Sequence, residues 1–121
     1  MPNQRAIGAA YEQLARRFLE QQGMRFLEAN RTFKGGELDL IMQDGHTFVF
    51  VEVRLRKSNH FGSALESVSA TKQKRWVHAA EMWLLERKQS LETALCRFDL
   101  ITFDLNQVQP TWFKHFIEFN S

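Results

Sequence analysis

Phe48-Val49-Phe50-Val51 is an unbroken run of aromatic and β-branched residues, and it leads straight into Glu52 and, two residues on, Arg54. Residues of this kind favour extended backbone. A strand apolar at successive positions must be covered on both faces, so the chain needs packing layers above and below this segment. The charges at its end are unexpected in such a setting. A carboxylate buried beside a core strand costs several kcal/mol unless a cation or hydrogen bonds offset it.

The flanking sequence supplies the required layers. From residue 6 to 22, Ile7, Tyr11, Leu14, Ala15, Phe18 and Leu19 recur at helical spacing, and Gly23 follows as a stop. Residues 24–33 read as a strand, and Lys34-Gly35-Gly36 as a turn. Residues 37–43 read as a second strand, Asp44-Gly45 as a hairpin signal, and 46–54 as a third strand. Residues 57–67 read as a loop. A second helix is expected from Ser69 or Thr71 to about Lys88, with Trp76, Ala80, Trp83 and Leu84 on its apolar face. Residues 96–105 make a fourth strand and 111–119 a further extended segment. The order predicts an α/β fold in which helices pack on a mixed sheet. The 121 residues form one predicted domain, 1–121, and their 44% hydrophobic content is enough for a core without disulfide or metal staples.

Strand alternation puts Glu37, Asp39 and Ile41 on one face, with Leu38 and Leu40 opposite. In the next strand Phe48, Phe50, Glu52 and Arg54 share a face. Counting outward from the Asp44-Gly45 turn brings Asp39 near Phe50 or Glu52, so the two carboxylates can converge. Paired carboxylates repel, and a hard divalent cation, Mg²⁺ or Mn²⁺, suits their oxygens. Such an ion activates water and stabilises charge on a phosphate oxygen, and Arg54 can fork onto a phosphate. Spacing alone leaves open a purely structural ion pair in which Arg54 neutralises both acids.

Gly36-Glu37-Leu38-Asp39-Leu40-Ile41, followed by Phe50-Val51-Glu52-Val53-Arg54, resembles the PD-(D/E)xK nuclease signature. The likeness is closer to the YraN-like family of bacterial proteins, similar to archaeal Holliday-junction resolvases. It extends over nearly the whole chain through Gly8, Glu12, Ala15, Asn30-Arg31, Phe61-Gly62, Lys72 and Arg97-Phe98-Asp99. The resemblance implies a restriction-endonuclease-like core, α-β-β-β-α-β, with metal ligands Glu12, Asp39 and Glu52. It also implies a homodimer, as in resolvase-like relatives. Arg54 stands at the signature's lysine position. An arginine stays protonated, so it can orient a phosphate but cannot serve as a base.

The net charge is only +2, so any nucleic-acid surface must be local. Between Arg54 and Arg75 the bases Arg56, Lys57, Lys72 and Lys74 are opposed by Glu66 alone. Arg56, Lys57, Lys72 and Arg75 are the candidate contacts to a phosphate backbone; a merely solvated face is the alternative. Trp112, Phe113, Phe116 and Phe119 either cover the sheet or form a subunit face. One cysteine, Cys96, and four scattered histidines show no zinc spacing. Without a long apolar run or paired cysteines, the expected setting is the cytoplasm, with no membrane partner. The sequence thus points to a Mg²⁺-dependent nuclease acting on nucleic acid, with structured or branched DNA the expected substrate. A binding module of the same fold that has weak or lost turnover is the alternative, and a protein-interaction domain built on the C-terminal aromatics is a third reading.

Overall fold

The computed structural model describes residues 3–56, 68–104 and 108–117, so the features predicted at Lys57, Phe61, Gly62 and Phe119 lie outside the described residues. In chain order the elements are α1 (Gln4–Gln21), β1 (Arg25–Phe33), β2 (Gly36–Asp44), β3 (Thr47–Arg56), α2 (Ala70–Leu85), β4 (Cys96–Asp104) and β5 (Pro110–Ile117). The strands lie side by side in the order β1-β2-β3-β4-β5. All neighbours are antiparallel except β3 and β4. A parallel pair needs a long crossover, and the segment containing α2 provides it. This is the mixed α/β sheet expected, in the order α-β-β-β-α-β.

Local chemistry fixes the boundaries. Asn3 caps α1 by accepting from the Ala6 amide at 2.8 Å, and Gly23, at φ 95°, releases the chain into β1. Gly45, at φ 62°, takes the first turn position between the paired Asp44 and Thr47, where compact hairpins need positive φ. Ser69 caps α2 by accepting from the Lys72 amide at 3.1 Å. The helix ends at Leu85 rather than near Lys88, because Lys88 turns left-handed at φ 59°.

Two cores form, one on each face of β3. Ala15 and Leu19 of α1 pack with Leu40, Met42, Val49, Val51, Ile101 and Phe103. Trp76, Ala79, Ala80, Trp83 and Leu84 of α2 pack with Ile41, Phe50 and Phe98. The double coverage demanded by Phe48–Val51 is met. Ile7, predicted in the α1 stripe, is instead exposed. The C-terminal aromatics cover the sheet: Trp112 meets Phe18 edge-on and Phe116 stacks on Trp76.

Strict alternation fails within β2. Leu38 packs with Ile41 in the α2 core, whereas Leu40 and Met42 lie in the α1 core. Asp39 sits at this break. Across the ladder, between the pairs Ala29–Leu40 and Arg31–Leu38, Asn30 adopts φ 54°. A non-glycine residue with left-handed backbone inside a strand is uncommon, and it disturbs the pleat where Asp39 must be presented.

The sheet also buries an ion-pair network around Asp99. Asp99 is fully buried and accepts from Arg97 Nε at 3.1 and 3.2 Å, Trp112 Nε1 at 3.0 Å and the His115 amide at 3.1 Å. Arg97 NH1 reaches Asp44 at 3.0 Å. Breaking a buried pair leaves an uncompensated charge and costs about 3–5 kcal/mol. Asp99→Ala is therefore expected to lower unfolding free energy by roughly that amount, read as a reduced urea midpoint. A midpoint matching wild type would contradict the structural role assigned to Asp99.

Candidate functional site

The β2–β3 ladder runs from Asp44–Thr47 to Leu40–Val51. One more step would set Asp39 against Glu52. There the backbone pairing gives way to a side chain: Asp39 Oδ2 accepts from the Val53 amide at 3.0 Å. The aspartate thereby satisfies a backbone donor that the ladder would otherwise have paired. It is also pinned beside Glu52, and the two carboxyl groups stand within reach of a shared proton. Both are buried, at 8% and 1% exposure.

Glu52 lacks the partners that Asp99 has. Its Oε2 lies 3.4 Å from Lys72 Nζ and 3.9 Å from Arg54 NH1, while Oε1 is buried with no hydrogen-bond partner. Burial pushes the Glu52 carboxyl up to about 8, reinforced by Asp39 and opposed by Lys72 and Arg54. On the α1 side, burial and the Asp39 charge push Glu12 up to about 7, against a hydrogen bond from Asn30. Asp39 on β2 thus acts on Glu12 of α1 and on Glu52 of β3.

Among the described residues, no three His, Cys, Asp or Glu side chains are gathered tightly enough to bond one ion as they stand. The donor set is nevertheless suited to one. The orphaned Glu52 Oε1, the second Asp39 oxygen and Glu12 offer hard oxygen atoms of the kind that Mg²⁺ and Mn²⁺ take.

Two adjoining clefts lie beside these groups, with Glu12 on the wall of the first and the Glu52 neighbour Lys72 on the wall of the second. One, of about 570 Å³, is lined by Arg5, Gly8, Glu12, Asn30, Thr32 and Glu37. The other, of about 380 Å³, shares Thr32 and Glu37 with it and is walled by Gly36, Lys72, Arg75 and Trp76. Gly36 makes the second wall possible, since a Cβ there would fall 2.3 Å from the Arg75 carbonyl oxygen. β2 and α2 could not approach so closely with any larger residue.

The chain belongs to the UPF0102 family. The family, described as "Uncharacterised protein family UPF0102", matches residues 11–103. A UPF0102 protein of Haemophilus ducreyi is 59% identical over 114 residues, covering 93% of this chain and 90% of its own. A UPF0102 protein of Mannheimia succiniciproducens is 55% identical over 114 residues, covering 94% and 96%. One from Actinobacillus pleuropneumoniae is 58% identical, covering 93% and 92%. The family-level resemblance carried by the motifs around Asp39 and Glu52 is thereby borne out, at the level of the family and not of an activity.

The structure sets Asp39 against both Glu12 and Glu52, and places Lys72 and Arg54 beside Glu52. Arg56 is instead held near Asp104, 3.9 Å away, on the paired strand β4. Arg75 lies on the second cleft with Lys72. Lys57 is outside the described residues. Two contributors carried no role in the sequence reading: Asn30, which bonds Glu12, and Arg5, which lines the first cleft. An asparagine inside a strand is the signal for the first, because asparagine is a poor strand former that tolerates left-handed backbone.

The raised acids make stability depend on pH. In the unfolded chain these carboxyls lose their protons near 4.5, whereas in the metal-free fold they keep them until about 7 and about 8. Between those limits the folded state binds more protons, so its stability falls as pH rises. Urea midpoints of metal-free protein should decline from pH 5 to pH 8, and Glu52→Gln should flatten that decline. An identical slope in the variant would remove Glu52 as its cause.

Proposed function

We propose that this protein is a metal-dependent nuclease that hydrolyses phosphodiester bonds in nucleic acid, with structured or branched DNA as its substrate. The carrying observation is the contrast between two buried carboxylates in one sheet. Asp99 has hydrogen bonds on both oxygens, whereas Glu52, equally buried beside Asp39, keeps an oxygen with no hydrogen-bond partner. A fold able to satisfy one buried acid so fully has left the other in need of a cation. Two adjoining clefts, the first walled by Glu12, carry Arg5, Lys72 and Arg75 and support a polyanionic ligand.

In this reading Glu12, Asp39 and Glu52 hold Mg²⁺ or Mn²⁺, which when bound supplies water activation and relief of charge on the phosphate. Asp39 is fixed by the Val53 amide, so its free oxygen is preorganised. Arg54, 42% exposed at its side chain, reaches outward and grips the phosphate. Water's oxygen bonds to phosphorus as one ester P–O bond breaks. Water gives up a proton to solvent, and the departing oxygen takes one up. Lys72 and Arg75 face the nucleic acid from the second cleft, with dimerisation placing two such sites on a branched substrate.

The position of Arg54 favours a second reading, a nucleic-acid-binding module of the same fold with little or no turnover. An arginine there, 3.9 Å from Glu52, adds charge but cannot exchange a proton.

The deciding experiment is cleavage of labelled linear and branched DNAs and RNAs with Mg²⁺, with Mn²⁺ and with chelator. Asp39→Ala is expected to abolish cutting while leaving the circular dichroism spectrum unchanged. Wild-type rates in that variant would sink the assignment. Tight, salt-sensitive binding with no cutting by folded wild type would establish the binding module instead.

A further inference from the structure

Resting on the nuclease reading, we propose that Lys72 of α2, rather than Arg54 of β3, is the catalytic cation of the site. Its ammonium contacts the scissile phosphate and the water that attacks it.

Three observations converge on Lys72. Its Nζ is 3.4 Å from Glu52 Oε2, inside the 3.9 Å of Arg54 NH1 from the same oxygen. Its side chain is less exposed than that of Arg54, 34% against 42%, so its field is less screened by water. It also lines the cleft shared with Glu37, Arg75 and Trp76, so the charge that touches the acid faces the space where a substrate can lie. Arg54 lines neither cleft, nor do Asp39 and Glu52, so Lys72 is the side chain that links Glu52 to the second cleft.

The lysine is built into place from two directions. Its amide is bound by the Ser69 cap at 3.1 Å, and the Gln73 side chain donates to the Val68 carbonyl at 3.1 Å. Val68 itself is buried against Leu100. From below, Gly36 admits the α2 backbone to within the space a Cβ would occupy, which sets the first turns of α2 directly over β2. Such anchoring of backbone on both sides is what holds a charged group where charge develops in a reaction.

An ammonium carries three donors. With one turned to Glu52, the others can meet a phosphate oxygen and a water at the same time. An ammonium in this position stays protonated throughout. It stabilises the oxygen charge that grows as the new P–O bond forms, and the proton released by water passes to solvent. A cation beside the metal-binding acids also competes with the metal, so its removal and its misplacement have opposite effects on metal affinity.

The test compares Lys72→Met, Lys72→Arg and Arg54→Met in single-turnover cleavage with Mn²⁺, on the substrate that wild type cuts. Mn²⁺ affinity is measured by calorimetry on the same proteins. Lys72→Met is expected to lower kcat about 100-fold, the scale of losing one preorganised donor, with KM nearly unchanged and Mn²⁺ held more tightly. Lys72→Arg is expected to restore part of kcat, and Arg54→Met to act mainly on KM. If Lys72→Met misfolds, Lys72→Gln takes its place. The proposal is overturned if Lys72→Met raises KM alone, which marks a remote backbone grip, or if it weakens Mn²⁺ binding, which marks a brace for Glu52. It is also overturned if Arg54→Met carries the kcat loss. Wild type that binds Mn²⁺ yet cuts no substrate overturns the nuclease reading itself, a failure distinct from active wild type with a fully active Lys72→Met.

Discussion

The hydrogen bond from the Val53 amide to Asp39 is the contact on which the candidate site depends. It stands where the β2–β3 ladder ceases to pair backbone with backbone. A sheet that continued regularly would have closed over this point with apolar side chains. By accepting the amide itself, Asp39 lets the strands part without orphaning a donor, and it brings a carboxylate to the resulting gap. Glu52 follows from the register, one step beyond the last paired residues. Glu12 of α1 acts on Asp39 and Lys72 of α2 pairs with Glu52, so helices from opposite faces of the sheet meet neighbouring acids at this gap.

The two carboxylate networks in the sheet show how one fold separates support from reactivity. Asp99 is surrounded by donors from β4 and β5, including a backbone amide freed by the left-handed His115 at φ 57°. That arrangement holds the edge strand on the sheet and leaves nothing for a ligand to do. At Glu52 the cations stop at 3.4 and 3.9 Å, beyond ordinary hydrogen-bond lengths. A buried acid in that condition favours its protonated form until a stronger cation arrives. The same incompleteness destabilises the fold at high pH and is what the proposed ion would relieve.

Much of the architecture was legible because it followed from local chemistry. The Phe48–Val51 run demanded coverage on both faces, the helical stripe at Tyr11 to Leu19 and the one at Trp76 to Leu84 supplied it, and Gly45 marked the hairpin that set Asp39 near Glu52. The failures are equally local. Alternation misplaced Leu38, because period-2 reasoning assumes an unbroken pleat and the pleat breaks opposite Asn30. Helix periodicity carried α2 to Lys88, because the left-handed turn there leaves no apolar trace. The basic cluster read as one patch, yet Arg56 lies against Asp104 on a neighbouring strand that no local pattern connects to it.

The least legible feature was the division of labour between Arg54 and Lys72. Along the chain Arg54 is two residues from Glu52, and Lys72 is separated from it by a predicted loop. Proximity in sequence made the arginine the natural partner, but its guanidinium stops 3.9 Å from Glu52 while the Lys72 ammonium, sent from the helix above the sheet, comes to 3.4 Å. Two constraints with no sequence signature of their own put it there: the close approach of Gly36 to the Arg75 carbonyl and the capped first turn at Ser69. A site assembled from a strand acid and a helix cation can also be tuned by small movements of α2 against the sheet. Any force that shifts that helix, a docked duplex or a second subunit included, then changes the distance between Lys72 and Glu52 directly.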